Sequence, residues 1–527
     1  MNRFIILILF FAPCFLWSQE IAFSNHRADV IEYELNITFG KELQEGIDVV
    51  EKIFIGDWEN RDSLVFDLQS MRTLHGRGMH VSEVTSKSGA LNFTQQAEHL
   101  LITGFKENEL YEFVEVKFNG KPEDGLVIGN NRFGAPTAFG DNWPNRAHQW
   151  FVCNDYPSDK ALIHYVVNVP EQYEVIANGH KIRVSLENGR KEFEYRTHYV
   201  LPTKVMVIGV ADFSIKNYNS TESGIPVSAW VYPENEKEGF YDMELAVSIL
   251  EWFEKKVGEY PYDKLANVQS TTRFGGMENA SCIFYDEKAI DGKRSMEALL
   301  AHEIAHQWFG NSASEKDFSH IWLSEGFATF MTNMYILETK GEHAFYKQLD
   351  KDRMKIIALN KRDPRPVIDD TADLMSLLNA NSYQKGGWIL NMLKHEIGEE
   401  LFWEVVRRYY DQFSFSNATS DDFIEVAQEV SGKNLSQFFE QWLTFPSIPK
   451  LDIQVKKRGK GAYVKIYDKG QFNFRYDLEI DFILSDDSVV TEIFKMDKPI
   501  TFQKISFNSR VHHWEIDARH KILFEKY

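Results

Sequence analysis

The chain has 527 residues, with 58 Lys and Arg against 78 Asp and Glu, for a formal charge of −20. A surplus of that size repels phosphate backbones and anionic bilayers, which excludes nucleic acid and acidic membrane as partners. The length exceeds what one core can organise, so roughly two to four domains are expected, and the composition is that of a soluble globular protein without repeats or low-complexity tracts.

The opening stretch, MNRFIILILFFAPCFLWSQE, carries one positive charge at Arg3 and then an apolar run from Phe4 to Trp17. That run is short for a bilayer span and gives way to polar residues, the pattern of a cleaved secretory leader over residues 1–19. An uncleaved anchor is the alternative. Pro13 directly before Cys14 makes a poor lipoprotein site, so no lipid anchor is expected. The expectation is an exported protein, periplasmic or secreted, with no transmembrane helix after the leader is removed. Cys153 and Cys282 then remain, too few for a disulfide framework; they are either oxidised or free buried thiols.

Residues 20–232 alternate or run apolar between Gly, Asn and Pro turns, as in IEYELNITFG, YEFVEVKFNG and ALIHYVVNV, and read as a large β domain. The polar YPENEKEG marks a boundary. From there to residue 446 the apolar period becomes helical. Within this block, LLAHEIAHQWFGN (299–311) has Met296, Leu299, Leu300, Ile304 and Trp308 on one stripe, with Gly310 placed to end the helix. His302 and His306, four apart, face the same way and can close on one ion. The pattern H-E-x-x-H reads as two zinc ligands with Glu303 beside them as base. Two partly buried helix histidines are the plainer reading. A third candidate favours the metal. In WLSEGFATFMTNMYILETKG, Leu323, Phe327, Phe330, Met331 and Met334 share a face, and Glu325 stands inside that apolar run, where a carboxylate is costly unless something positive meets it. His302, His306 and Glu325 make a His₂Glu set that leaves zinc an open position, and the imidazoles favour zinc over calcium or magnesium. Residues 447–527 revert to short strands and suit a small β-sandwich.

Three further segments, GGMENASCIFYDE, NSYQKGGWILNML and FFEQWLTFPSIPKL, follow in an order that resembles the zinc aminopeptidase family of aminopeptidase N and the leukotriene epoxide hydrolase, gluzincin metallopeptidases. The resemblance runs over nearly the whole mature chain. It implies a multidomain α/β fold: a saddle-like N-terminal β domain, a thermolysin-like, mainly helical catalytic domain and a C-terminal β-sandwich. The C-terminal helical domain of longer members is expected to be absent. It also implies one zinc per chain and release of the first residue from peptides with a free N-terminus. Glu278 matches the glutamate that holds the substrate amine, within a substrate-binding segment Gly275, Gly276, Met277, Glu278 and Asn279. Tyr383 matches the oxyanion-stabilising tyrosine. The chemistry of the residues agrees, since an ammonium needs a fixed carboxylate and glycine lets a peptide approach closely.

Departures are also visible. Where the family often supplies a second contact to the amine, this chain has Asp141, Asn142 and Trp143. Where the epoxide hydrolase keeps an aspartate, eight residues before the tyrosine, this chain has Met375. Epoxide hydrolysis and a catalytically silent peptide-binding protein are the competing readings. The first is disfavoured by Met375, the second by the full set of ligands, base and tyrosine.

Overall fold

The computed structural model describes residues 27–56, 61–72, 76–106, 110–371 and 373–527; the leader-like segment lies outside the described residues. Three units follow one another, β-rich, helical and β-rich, as the motif order implies. In the first, a nine-stranded sheet runs from the edge His180–Glu187 through Arg190–Arg196, Lys160–Pro170, Val30–Phe39, Ile47–Ile55 and Phe113–Lys121 to Gly78–Ser86 and Gly89–Ala90, with Leu201–Pro202 pairing off its centre. Val30–Phe39 and Lys160–Pro170 pair in parallel; their long separation in sequence leaves room for the smaller sheets that pack on this one.

The middle unit opens on a five-stranded sheet ordered Ser214–Asn217, Val227–Val231, Leu265–Ser270, Cys282–Asp286 and Gly276–Met277. The boundary read from polarity after Tyr232 therefore falls inside this unit, because Val227–Val231 pairs with Leu265–Ser270 across the polar stretch and two helices. Local polarity marks a solvated turn and carries no trace of that long-range pairing. The helices Glu297–Ala305, Trp322–Lys340, Glu342–Arg362 and Gly386–Ile397 complete the layer. Trp322–Lys340 is buried from Trp322 to Tyr335 and stops at Gly341, whose φ of +80° suits glycine at a helix end. It meets Gly386–Ile397 at Gly326 and Gly386, where a Cβ on either would stand 2.9 Å from the other's Cα. The third unit is two facing sheets, four and three strands, around an apolar cluster of its own that includes Val464, Ile480 and Phe482.

The first two units share one continuous apolar core, and three lysines cross between them. Lys160 donates to the carbonyls of Asn311 and Ser312 at 3.2 and 2.6 Å, Lys204 pairs with Glu315, and Lys264 reaches back to the carbonyls of Ala177 and Gly179. Side chains of Lys204 and Glu315 are 1% and 0% exposed. Cys153 and Cys282 are buried free thiols, and among the described residues no helix is long and apolar enough to cross a membrane.

Removing one member of a fully buried ion pair strands the other's charge at a cost of about 3–5 kcal/mol. Lys204→Ala is therefore expected to lower the stability of the shared core by that amount, read from urea unfolding. A loss under about 1 kcal/mol, the range of an exposed pair, would contradict the burial described.

Candidate functional site

His302 lies on helix Glu297–Ala305, and His306 follows at its C-cap with φ −60° and ψ −22°. The helix thus ends at Ala305, five residues before Gly310, the stop that the apolar stripe suggests. Gly310, at φ +115°, instead shapes the turn that follows. The early end serves His306: its Nδ1 lies 3.1 Å from the Phe309 carbonyl oxygen and 3.1 Å from Ser324 Oγ. Donation of Nδ1–H to that carbonyl leaves the Nε2 lone pair facing the cavity. Glu325 comes from the first turn of Trp322–Lys340.

These three side chains meet in a triangle. The two Nε2 atoms are 3.2 Å apart, and each is 3.3 Å from Glu325 Oε2. Bonds of about 2.0–2.1 Å to a tetrahedral ion give donor-to-donor edges of about 3.3 Å. Glu325 Oε2 is buried and has no hydrogen-bond partner. Donor types, spacing and the orphaned oxygen all fit zinc, whereas calcium or magnesium would require oxygen ligands throughout.

Charges around the triangle are strongly coupled. Burial opposes protonation of His306, but the Glu325 carboxylate outweighs it and lifts the ring to about 10. At His302 burial prevails and the ring is lowered. At Glu325 burial is overcome by the two imidazoles, which hold the carboxyl well below the usual range. Burial pushes Glu303 well above that range, with Glu278 and Glu325 adding to the effect and His306 opposing it.

A cavity of about 280 Å³ opens on these groups, lined by Trp143, Phe274, Gly275, Gly276, Met277, Glu278, Leu299, His302, Glu303, His306, Glu325, Leu378 and Tyr383. A larger hollow, about 840 Å³, lies between helix Glu342–Arg362 and the C-terminal unit and holds none of them. Gly276 and Met277 form an edge strand paired antiparallel with Cys282–Asp286. A Cβ at Gly276 would lie 2.2 Å from Glu303 Oε1, so only glycine lets the strand rest on that carboxylate. Glu278 is 5% exposed, and its Oε1 has no partner. Tyr383 sits on a single π-helical turn, Asn381–Lys385, and stacks on His302 with ring centroids 5.9 Å apart and planes 14° apart.

The structure therefore gathers His302, Glu303, His306, Glu325, Gly275, Gly276, Met277, Glu278 and Tyr383 around one space. Asn279 is buried at 1% exposure and lies behind the wall. Asp141 and Asn142 are also off the cavity. Asp141 engages Arg146 and the Arg273 amide, while Asn142 donates to the Thr203 and Met206 carbonyls and accepts from Trp150. Of that segment only Trp143 faces inward. Sequence reading missed Gln307 and Asn311, which clamp the Glu278 carbonyl at 2.8 and 2.6 Å, and Ser324 beside His306. Gln307 and Ser324 directly follow or precede a ligand, the only signal available for them.

Residues 241–442 match the profile described as "Peptidase family M1 domain". Among curated proteins, Probable aminopeptidase 1 of Sulfurisphaera tokodaii is 26% identical over 450 residues, covering 81% of this chain and 54% of its own length. Endoplasmic reticulum aminopeptidase 2 of Homo sapiens is 27% identical over 406 residues, covering 69% of this chain and 42% of its own. Among solved structures, Legionella pneumophila aminopeptidase A in complex with aspartic acid superposes with a TM-score of 0.80 at 18% identity, over 96% of this chain and 60% of that one. The M1 zinc metallopeptidase from Deinococcus radiodurans gives 0.68 at 20% identity, over 80% and 95%. The chain spans about half the length of the first curated relatives it matches, and the structural likenesses show the shared fold.

Two imidazoles alone make a weak site, so Glu325→Ala is expected to lose zinc as well as geometry. Metal content after gel filtration checks this. Zinc occupancy equal to that of the parent would remove Glu325 from the ligand set.

Proposed function

We propose, from the match of residues 241–442 to the peptidase family M1 domain, that the chain is a zinc-dependent aminopeptidase acting on peptides with a free N-terminus. The observation that carries this reading is Glu278: a buried carboxylate on the cavity wall whose Oε1 has no hydrogen-bond partner among the described residues. An unpaired buried carboxylate is costly, and a substrate ammonium is the group that would satisfy it.

His302, His306 and Glu325 would hold the zinc. When bound, zinc supplies Lewis acidity, polarising a carbonyl and bringing a coordinated water's pKa to about 7. The protein's own groups do the remaining work. Glu278 fixes the amine, so that the first peptide bond lies over the triangle. The Gly276–Met277 edge offers backbone groups to an extended peptide, as strands do in β-augmentation. Glu303, the glutamate that is not a ligand, takes a proton from the attacking water and delivers it to the departing amine. Tyr383, kept protonated by burial and by Glu325 and Glu278, donates its hydroxyl to the carbonyl oxygen as charge develops there. Trp143, Phe274, Met277, Leu299 and Leu378 give the cavity apolar walls for the first side chain. Export completes the proposal. It rests on the leader-like residues 1–19, and N-terminal sequencing of the protein recovered from a host's periplasm or medium would test it; an intact Met1 would contradict cleavage.

Glu303→Gln is expected to keep zinc and lose turnover by about 10²–10⁴-fold, since a base is removed and no ligand is. Parallel measurement of metal content and kcat separates the two effects, and near-normal kcat with zinc bound would refute the assignment. Glu278→Ala should lower kcat/KM on free peptides by about ten- to a hundredfold, the worth of a charge-assisted contact. A change of less than about twofold would leave the amine anchor unassigned.

A further inference from the structure

A second set of metal-ligating side chains lies outside the active site, on the seam between the first two units. His180 begins an edge strand of the large sheet, and His198 follows the strand paired with it. The register sets His180 opposite Arg196, which brings both histidines to the same end of the hairpin. Asp263 comes from the other unit, in the turn entering strand Leu265–Ser270. One ligand atom from each of the three lies within 4.8 Å of the others. His198 Nε2 is 3.0 Å from Asp263 Oδ1, and His180 Nδ1 is 4.0 Å from Oδ2.

Two features make this more than a chance surface pair. Asp263 Oδ2 is buried and has no hydrogen-bond partner, so one carboxylate lobe is withdrawn from water with nothing to satisfy it. The carboxylate is also held in place. Lys264 beside it donates to the Ala177 and Gly179 carbonyls of the first unit, and Tyr262 packs on Tyr199 with centroids 4.8 Å apart. Two neighbouring cations make their hydrogen bonds elsewhere, Lys264 to those carbonyls and Arg196 to Glu32. The imidazoles are half-exposed or more, at 49% and 65%, so their rings can rotate. Bringing ligand atoms that lie within 4.8 Å of one another to the edge of about 3.3 Å that a tetrahedral ion needs takes about 1.5 Å at most.

We propose that His180, His198 and Asp263 bind a second divalent transition ion of the zinc or nickel class, which staples the N-terminal β unit to the catalytic unit. Two imidazoles and one carboxylate select such an ion over magnesium or calcium. The site stands apart from the cavity wall, so its effect is on stability. An ion held across the seam favours the docked, folded state by mass action. With two exposed imidazoles, it binds more weakly than the buried triangle.

The test uses the full chain, stripped with chelator and titrated with zinc, then with cobalt(II), whose visible absorption reports each site. The expected result is two equivalents per chain in the parent, with a rise in melting temperature as the second one binds. His198→Ala and Asp263→Asn should each bind one equivalent, lose that rise and keep the parent's turnover at saturating zinc. His180→Ala, at an exposed strand end, repeats the test without touching the buried carboxylate. Saturation of the parent at one equivalent would overturn the proposal, as would a second equivalent retained in the variants.

Discussion

Three buried carboxylates, Glu278, Glu303 and Glu325, crowd two imidazoles around a cavity of about 280 Å³. That concentration of like charge in a low-dielectric pocket is the constraint on which the rest of the structure depends. Burying an uncompensated carboxylate in such a pocket is costly. Glu325 is answered by the histidines within 3.3 Å. Glu278 Oε1 has no hydrogen-bond partner among the described residues, and a bound species can supply one. A dication in the triangle and an ammonium at Glu278 are the charges that suit the arrangement.

Holding such a set in register requires rigid surroundings, and the fold supplies them by close backbone approach and by buried polar clamps. Gly276 lets the edge strand rest on Glu303, while Gly326 and Gly386 let two helices touch so that Tyr383 reaches His302. Gln307 and Asn311, from the turn after the first ligand helix, grip the Glu278 carbonyl. Glu278, the proposed amine anchor, and the His302–His306–Glu325 triangle are therefore parts of one body, and their separation is fixed before any substrate arrives. Behind that turn, Lys160 binds the Asn311 and Ser312 carbonyls from the N-terminal unit. The β unit thus serves the site as a buttress as well as through Trp143 on the cavity wall.

Much of this was legible in the amino-acid sequence, for physical reasons. His302 and His306 declare themselves because four residues make about one helical turn, and Glu325 because a carboxylate in an apolar helix demands a partner. The three-unit order followed from changes of apolar period. What stayed hidden depends on contacts distant in sequence. Gly310 looked like the helix stop because a stripe of apolar residues cannot show that His306 already turns toward the Phe309 carbonyl. Strands before Tyr232 belong to the middle sheet through a pairing that polarity cannot reveal. Asp141 and Asn142 stand where the family often supplies a second amine contact, and their hydrogen bonds are spent on Arg146, Arg273, Thr203 and Met206. The π turn under Tyr383 and the crossing lysines left no local pattern at all.

We propose that one metal-dependent site both cleaves the first peptide bond and recognises the free amine. The most direct test is mass-spectrometric analysis of a single peptide, offered with a free and with an acetylated N-terminus, to the metal-stripped and the zinc-restored parent protein. Sequential loss of N-terminal residues is expected from the free peptide only, abolished by stripping and recovered with zinc. Comparable cleavage of the acetylated peptide, or internal cuts in either, would contradict it.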